Sequence, residues 1–469
     1  MYKVLSLILI FVSQLFSQYE VPVSKIDSVL KDSFFESTIV GISAYNLTKS
    51  EPIYIKNDKL LLRPASNMKV ITTAAMLYFL GPKYKFYTGI YTDGIIKDNK
   101  LYGDLYFYGN GDPSFNSNDL DTLIIALKNK NINEITGTIY GDVSAYDSKF
   151  WGEGWMWDDD PSSDFPYFTP LIINESCVDV FIESPTNKDK TEIKIFPQSS
   201  YFTLTNNLQV VDEGRNNFDI SRNWMERKNN LTVNGLINKN FKGYRTKINL
   251  FNPADFFMYY AVERLKENGI KVKHDYDFKD RPQNVIEISK VESNFGDLIV
   301  KLNKESDNLY AEAALKALAY ELKGKPASSK SGTRVIDSLV TIIGLNHGNY
   351  YFADGSGVSH YNLVSAELLN RLLIYFYNHH PNLYQILSHS FPIGGIDGTL
   401  RYRMKADGTL NNVSAKTGTL SGVSSLSGYL TAKKGDLISF SILIQNYIEN
   451  SNMARNFQDK ICEILSELN

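Results

Sequence analysis

Cysteine is nearly absent from this 469-residue chain, with only Cys177 and Cys462 present, so a disulfide framework is excluded as the source of its stability. The two fall in stretches read as different domains and are expected to stay unpaired. Histidine is also scarce, at six residues. These show no ligand spacing, and His379-His380 reads as a solvated helix end, so neither a metal nor any cofactor is expected. Charge of one sign is lacking as well: the net charge is −3 and no dense Lys/Arg run occurs, which argues against nucleic acid as a partner. After the first residues, no apolar run reaches the roughly 20 residues of a membrane span, so no transmembrane anchor is expected.

The composition that remains, 43% hydrophobic and 22% charged, describes a folded rather than a disordered chain. Its length exceeds what one core supports, and two or three domains are expected. The 30 tyrosines and 26 phenylalanines suit β-rich domains. At the start, Lys3, the apolar core Val4 to Phe16 and the Ser17-Gln18 region have the form of a secretory signal over residues 1–17, which predicts a soluble mature protein outside the cytoplasm. No cysteine follows the signal to carry a lipid anchor.

The stretch Arg63-Pro64-Ala65-Ser66-Asn67-Met68-Lys69-Val70 opens an apolar run that ends at Gly81-Pro82, with proline in the first turn and glycine past the end as helix punctuation. Ser66 and Lys69, three apart, then share a face near the free N–H groups of a helix start. A hydroxyl, an amine and bare backbone donors together form a nucleophile, a base and part of an oxyanion hole. The string also arises by chance, as Ser28-Val29-Leu30-Lys31 illustrates. Its meaning therefore turns on what lies downstream.

Helical spacing over Val23 to Phe34, strands at Thr38 to Leu47 and Pro52 to Ile55, and the Ser66 helix make an α+β opening. After Pro82, some 200 residues read as short strands and turns, closed by a helix from Pro253 to Glu267. Within them Trp151, Trp155 and Trp157 adjoin Asp158-Asp159-Asp160, where aromatics beside carboxylates either hold a cationic amine or form a solvated loop over a packed ring. Helices follow at Gly296 to Leu302, Leu309 to Leu322, Thr333 to Ile343 and Ser365 to His379. Ser306-Asp307-Asn308 stands at the mouth of the second of these, where Asn308 would also serve as an N-cap. Lys416-Thr417-Gly418-Thr419 enters a hairpin of strands Val423 to Ala432 and Leu437 to Gln445, whose edge could receive a peptide. In the last helix, apolar residues from Met453 to Leu468 recur every three or four positions and place Cys462 in its core.

Ser66-x-x-Lys69, Ser306-Asp307-Asn308 and Lys416-Thr417-Gly418 form, in order, the three-part signature of penicillin-binding proteins and class A β-lactamases. Decoys such as Ser114-Phe115-Asn116 and Lys330-Ser331-Gly332 lack the matching context. About 235 residues separate Lys69 from Ser306. Together with Pro64-Ala65-Ser66, Gly111 to Phe115, Gly141 to Ser144, Asn252-Pro253-Ala254, Asp354 to Gly357, Gly394 to Leu400 and Ala415 to Thr419, this spacing means that the chain resembles the low-molecular-mass class C penicillin-binding proteins. These are the D-Ala-D-Ala carboxypeptidase/endopeptidase family S13. Asn110, where that family tends to have glycine, and Val358, where it tends to have leucine, depart from the pattern without touching the chemistry.

The resemblance implies an α+β transpeptidase domain like that of penicillin-binding proteins and serine β-lactamases, an antiparallel sheet flanked by helices, over residues 18–85 and 286–469. A β-rich two-part insertion is expected over residues 86–285, with a nested subdomain at about 150–245. It implies Ser66 as nucleophile, Lys69 as base, Ser306 as proton relay, Asn308 holding the substrate amide, and Lys416 with Thr417 binding a terminal carboxylate. Gly418 completes the motif, and the backbone N–H groups of Ser66 and Thr419 form the oxyanion hole. Asp159 falls where some members hold the free amine of a stem peptide. An ordinary lysine near pKa 10.4 is neutral about 1 part in 2,500 at pH 7, a handicap of roughly 4.6 kcal/mol, so such a site must favour the neutral amine. The substrate class implied is peptidoglycan stem peptides in the periplasm, with β-lactams as inhibitors; pairing into a homodimer stays open. A β-lactamase or esterase on the same scaffold, and a non-catalytic peptidoglycan- or β-lactam-binding protein, are the alternatives.

Overall fold

A computed structural model describes residues 19–185 and 191–468; the expected signal segment lies outside the described residues. The chain forms two compact units. The first comprises the chain up to Pro82, Ile299–Asp307 and the stretch from Thr333 onward, and the second comprises Lys83–Leu298 and Asn308–Gly332. Among the described residues no helix is long and apolar enough to cross a membrane.

The first unit is built on a five-stranded antiparallel sheet in the order Ser414–Leu420, Val423–Thr431, Leu437–Gln445, Ile39–Asn46, Glu51–Lys56. Its two faces differ because side chains alternate along a strand. Ile438, Phe440, Ile442 and Ile444 join Ile42 and Ala44 in a core with Phe457, Ile461 and Leu465 of the helix Ser451–Ser466. Several of the alternate residues are small: Ser43 receives a hydrogen bond from Asn370 of the helix Ala366–His379 (3.0 Å), and Ser427 and Ser441 join hydroxyl to hydroxyl (2.8 Å). Serines leave room for a helix to lie close, and the helix Met68–Phe79 sits deep in this layer, with every residue from Met68 to Leu77 buried. A largely apolar helix is stable only when enclosed, and the polar Lys69 and Thr72 on it are each bonded to a backbone carbonyl.

The second unit carries two larger sheets. A five-stranded mixed one has the order Tyr276–Phe278, Ile139–Asp142, Leu105–Gly109, Lys85–Thr92, Ile286–Asn294, and a four-stranded one is made of short strands. Two further three-stranded sheets lie within residues 177–249. Helices Ser117–Asn129 and Pro253–Glu267 pack into their shared core. The helix Ser117–Asn129 is a departure from the run of strands and turns expected there. Its cause is local: Asn116 caps the Asn118 N–H (2.9 Å), Asp119 returns the bond to the Asn116 N–H (2.9 Å), and Leu120, Leu123, Ile124 and Leu127 form one buried stripe. The strands Lys100–Tyr102 and Leu105–Gly109 are separated at Gly103, whose φ of 140° a residue with a side chain rarely adopts.

Candidate active site

Ser66 lies in a 3-10 turn, Ala65–Asn67, that leads into the helix Met68–Phe79. Ala65 enters this turn in the left-handed region (φ 47°). Its carbonyl points at Gly357, where a Cβ would lie 1.8 Å from the Ala65 oxygen, and Gly357 itself has φ 86°. Only glycine fits there. Asn67, facing away, joins the turn to the sheet: with its amide oriented to match its neighbours, it donates to the Lys416 carbonyl (2.6 Å) and accepts from the Leu426 N–H (3.1 Å). Ser425 Oγ donates to the Pro64 carbonyl (2.5 Å). The turn that presents Ser66 is therefore fixed on three sides.

The Lys69 amine, three residues on, lies 3.0 Å from Ser66 Oγ and donates to the Ser356 carbonyl (2.7 Å). Lys69 is fully buried while Ser66 keeps partial access to solvent. The loop that supplies the Ser356 carbonyl is held by one carboxylate: Asp354 accepts from the N–H groups of Gly357 (2.8 Å) and Ser359 (2.7 Å) and from the Asn362 amide (2.7 Å). Thr72 of the same helix donates to the Gly355 carbonyl (2.7 Å). Nothing in the sequence marked Ser356 as the lysine's anchor; the stretch Asp354 to Gly357 entered only as part of the resemblance.

Lys416 occupies the edge strand Ser414–Leu420 and points from it into the buried layer. Its amine donates to Ser306 Oγ and to the Thr417 carbonyl, each at 2.8 Å. Among the described residues no carboxylate pairs with it. Burial first, and the positive charge of Lys69 second, hold this ammonium well below the usual lysine range. Two residues along, Gly418 passes against the Ser66 turn, where a Cβ would meet Ser66 N and Pro64 O at 2.8 Å and Ser425 Oγ at 2.2 Å. The strand thus runs alongside the Ser66 N–H. On the strand's other face the Thr417 hydroxyl meets that of Thr399 (2.6 Å), and Arg455 donates to the exposed Thr419 hydroxyl (3.2 Å). Neither Thr399 nor Arg455 was singled out by the sequence.

Ser306 is a non-glycine residue in the left-handed region (φ 63°), a conformation that persists only where its surroundings impose it. They do so here: Lys304 pairs with Asp397, a Cβ on Gly398 would lie 2.6 Å from the Lys304 carbonyl, and the Asn303 amide donates to Ser390 Oγ (2.8 Å). Ser66, Lys69, Ser306, Lys416, Thr417, Gly418 and Thr419 all belong to the first unit. Asn308, two residues past Ser306, is the first residue of the helix Asn308–Lys323 in the second unit, and its amide donates to the Asp164 carbonyl (2.5 Å). Asp159 also lies in the second unit, in the turn Trp157–Asp159, where its carboxylate accepts from the Met156 N–H (2.8 Å). Both cysteines are buried thiols outside any disulfide, Cys177 in the second unit and Cys462 in the last helix of the first.

The sequence profile of the D-Ala-D-Ala carboxypeptidase 3 (S13) family matches residues 23–468. The D-alanyl-D-alanine carboxypeptidase DacB of Haemophilus influenzae is 28% identical over 371 residues, 78% of this chain and 77% of that protein. A D-alanyl-D-alanine carboxypeptidase of Actinomadura sp. is 26% identical over 458 residues, 94% of this chain and 84% of its own length. Among solved structures, penicillin-binding protein 4 (dacB) of Haemophilus influenzae superposes with a TM-score of 0.83 at 26% identity, covering 95% of this chain and 99% of that one. The same protein has also been solved with a β-lactam bound (TM-score 0.78, 25% identity, the same coverage). The fold class and the resemblance expected from the three motifs are both borne out.

Proposed function

The chain belongs to the D-Ala-D-Ala carboxypeptidase 3 (S13) family, and from that premise we propose that it is a serine-type D-Ala-D-Ala carboxypeptidase/endopeptidase. It cuts peptidoglycan stem peptides through an acyl-enzyme on Ser66, is inhibited by β-lactams, and works in the periplasm. The observation that carries this reading is a pair of contacts in one buried layer, Ser66 Oγ to Lys69 Nζ at 3.0 Å and Lys416 Nζ to Ser306 Oγ at 2.8 Å, with each amine in the field of the other.

Ser66 Oγ attacks the carbonyl of the penultimate D-Ala while Lys69, as the free amine, takes its proton. A neutral amine has two N–H bonds and one lone pair. The Ser356 carbonyl can only accept, so it receives one N–H and helps leave the lone pair for the Ser66 hydroxyl. The N–H groups of Ser66 and Thr419 receive the oxyanion; one such donor is typically worth about 10² to 10³ in rate. Ser306 passes a proton to the departing amine of the terminal D-Ala, Asn308 holds the substrate amide, and Lys416 with Thr417 receives the terminal carboxylate. Water then releases the shortened peptide. With a β-lactam the leaving nitrogen remains tethered to the acyl group, so the acyl-enzyme persists.

The test uses the full chain and its Ser66→Ala variant, each given a pentapeptide ending in D-Ala-D-Ala and a cross-linked dimer, with D-Ala release and dimer loss measured. Turnover is expected to fall at least about 10³-fold in the variant, and a fluorescent penicillin should label the unsubstituted chain alone. Equal turnover by both proteins refutes the reading.

A further inference from the structure

The catalytic assignments leave unused a cavity of about 630 Å³ within the second unit, between residues 148 and 251. All four tryptophans of the chain line it: Trp151, Trp155, Trp157 and Trp224. Two form its wall. Trp151 meets Trp155 edge-on (centroids 5.2 Å) and lies tilted against Tyr167 (4.6 Å). This wall is anchored by a buried ion pair between Asp160 and Arg222, to which the Tyr167 hydroxyl adds a bond to Asp160 (3.1 Å). Those polar groups are all partnered, so they serve the framework.

The other two tryptophans are placed differently. Trp157 and Trp224, 67 positions apart in sequence, stack on one another (centroids 5.2 Å, planes at 30°), yet Trp157 is 69% exposed. Among the described residues neither indole N–H donates to a protein acceptor, and neither of the rim cations, Lys149 and Arg227, pairs with a carboxylate. Arg227 is moreover held in the left-handed region (φ 55°), its N–H closing on the Trp224 carbonyl (2.9 Å). A site built this way offers flat apolar faces, two free N–H donors and two free cations. Apolar side chains would use only the faces, and a bare phosphate only the cations. A sugar ring uses all of them: its C–H face lies on an indole, its hydroxyl and acetamide oxygens accept the N–H bonds, and acidic substituents meet Lys149 and Arg227.

We propose that this cavity binds stretches of the peptidoglycan glycan strand that carry no stem peptide, where the lactyl carboxylates are free to meet Lys149 and Arg227 while the N-acetylated amino sugars stack on Trp157 and Trp224. The identity of the polymer rests on the function proposed above; the sugar-binding chemistry does not. Because every tryptophan lines the cavity, tryptophan emission excited selectively over that of the 30 tyrosines reports on it. The experiment titrates the full-length Ser66→Ala chain with a tetrasaccharide of alternating N-acetylglucosamine and N-acetylmuramic acid freed of stem peptides, and separately with the free pentapeptide. A saturable change in tryptophan emission with the tetrasaccharide and none with the pentapeptide is expected, with Trp157→Ala weakening tetrasaccharide binding about tenfold or more. Added to the Ser66→Ala chain, Arg227→Ala is expected to weaken tetrasaccharide binding several-fold, and an unchanged affinity would overturn the role given to the lactyl carboxylates. If emission does not respond to the tetrasaccharide while the unsubstituted chain still releases D-Ala, the cavity proposal falls and the hydrolase reading stands. An equal response to the pentapeptide overturns the proposal too. Loss of D-Ala release altogether would refute the hydrolase reading while leaving the fluorescence result to judge the cavity.

Discussion

Gly357 and Gly344 have nearly the same backbone conformation, φ 86° and 85°, but different surroundings. A Cβ on Gly357 would lie 1.8 Å from the Ala65 carbonyl oxygen and 2.8 Å from Met68 Cβ, whereas one on Gly344 would meet nothing within 4 Å. Alanine at either site incurs the left-handed penalty of roughly 1–2 kcal/mol. Gly357→Ala adds a backbone clash with the segment that presents Ser66, and overpacking of this kind costs a further 1–3 kcal/mol or so. The two variants should therefore differ in stability by about 1–3 kcal/mol. At roughly 2–4 °C per kcal/mol for a unit of this size, that difference is about 2–12 °C in Tm. Function should separate them more sharply. The clash pushes Ala65 away from the loop whose Ser356 carbonyl holds Lys69, and a displacement near 1 Å at a reacting group typically costs about 10² in rate. The assay is acylation by a fluorescent penicillin, read beside thermal unfolding. Gly344→Ala should acylate normally and Gly357→Ala about a hundredfold more slowly. Equal losses of Tm and equal acylation in the two variants would refute the claim that the Ala65 contact, rather than backbone strain alone, fixes this glycine.

Thr399→Val removes the hydroxyl that meets Thr417 at 2.6 Å; the KM for a D-Ala-D-Ala peptide should rise several-fold with a stability loss of about 1 kcal/mol, and an unchanged KM would sink the role given to this pair. Both buried cysteines should resist a thiol reagent in the native chain and react together after denaturation, since burial also pushes the Cys462 thiol well up; rapid native labelling counts against the packing. Lys416 has a folded-state pKa held well below its unfolded value of 10.5, so above the folded pKa the unfolded state binds more protons and the stability deficit it causes shrinks as pH rises toward 10.5. Lys416→Met should therefore be more stable than the parent near neutral pH, with the gap closing at higher pH in denaturant melts; a gap that widens would show the sign to be wrong.

What the sequence made legible was whatever is written locally. The helix Pro253–Glu267 and the strand Leu437–Gln445 have the boundaries read from proline, glycine and apolar spacing. The helix Ala366–His379 starts one residue inside the expected Ser365, because Ser365 is the cap and accepts from the Leu368 N–H (3.0 Å). The helix Pro381–Ser390 went unread because it follows His380 without the turn residues that normally separate two helices. Long-range features left no local trace at all. Ser356 reaches Lys69 through its backbone carbonyl, which every residue type possesses, and Thr399 meets Thr417 only because a 3-10 turn and an edge strand converge. The gathering of Trp224 with three tryptophans some 70 positions earlier is likewise a product of the second unit's topology. Motif strings identify the groups that react, because chemistry restricts residue type. The groups that position them are often backbone atoms, and these carry no signature.

The lysine pair shows why such positioning matters. Lys69 and Lys416 are both fully buried, and their amines bond to serine hydroxyls and backbone carbonyls. Two ammonium groups confined this way repel each other, and that repulsion is strong in a medium of low polarisability. That repulsion adds to burial in holding the Lys416 amine well below the usual lysine range. The chemistry proposed for the site needs one neutral amine, to accept the Ser66 proton, and one ammonium; an incoming carboxylate beside Lys416 would favour its charged form and so restore the charge that burial opposes. Ser306 Oγ, bonded to Lys416, is the hydroxyl that the proposed mechanism uses to protonate the leaving amine. A site with a single lysine would have to choose between base and anion receptor at any given pH; repulsion between two lets one fold perform both at the same pH.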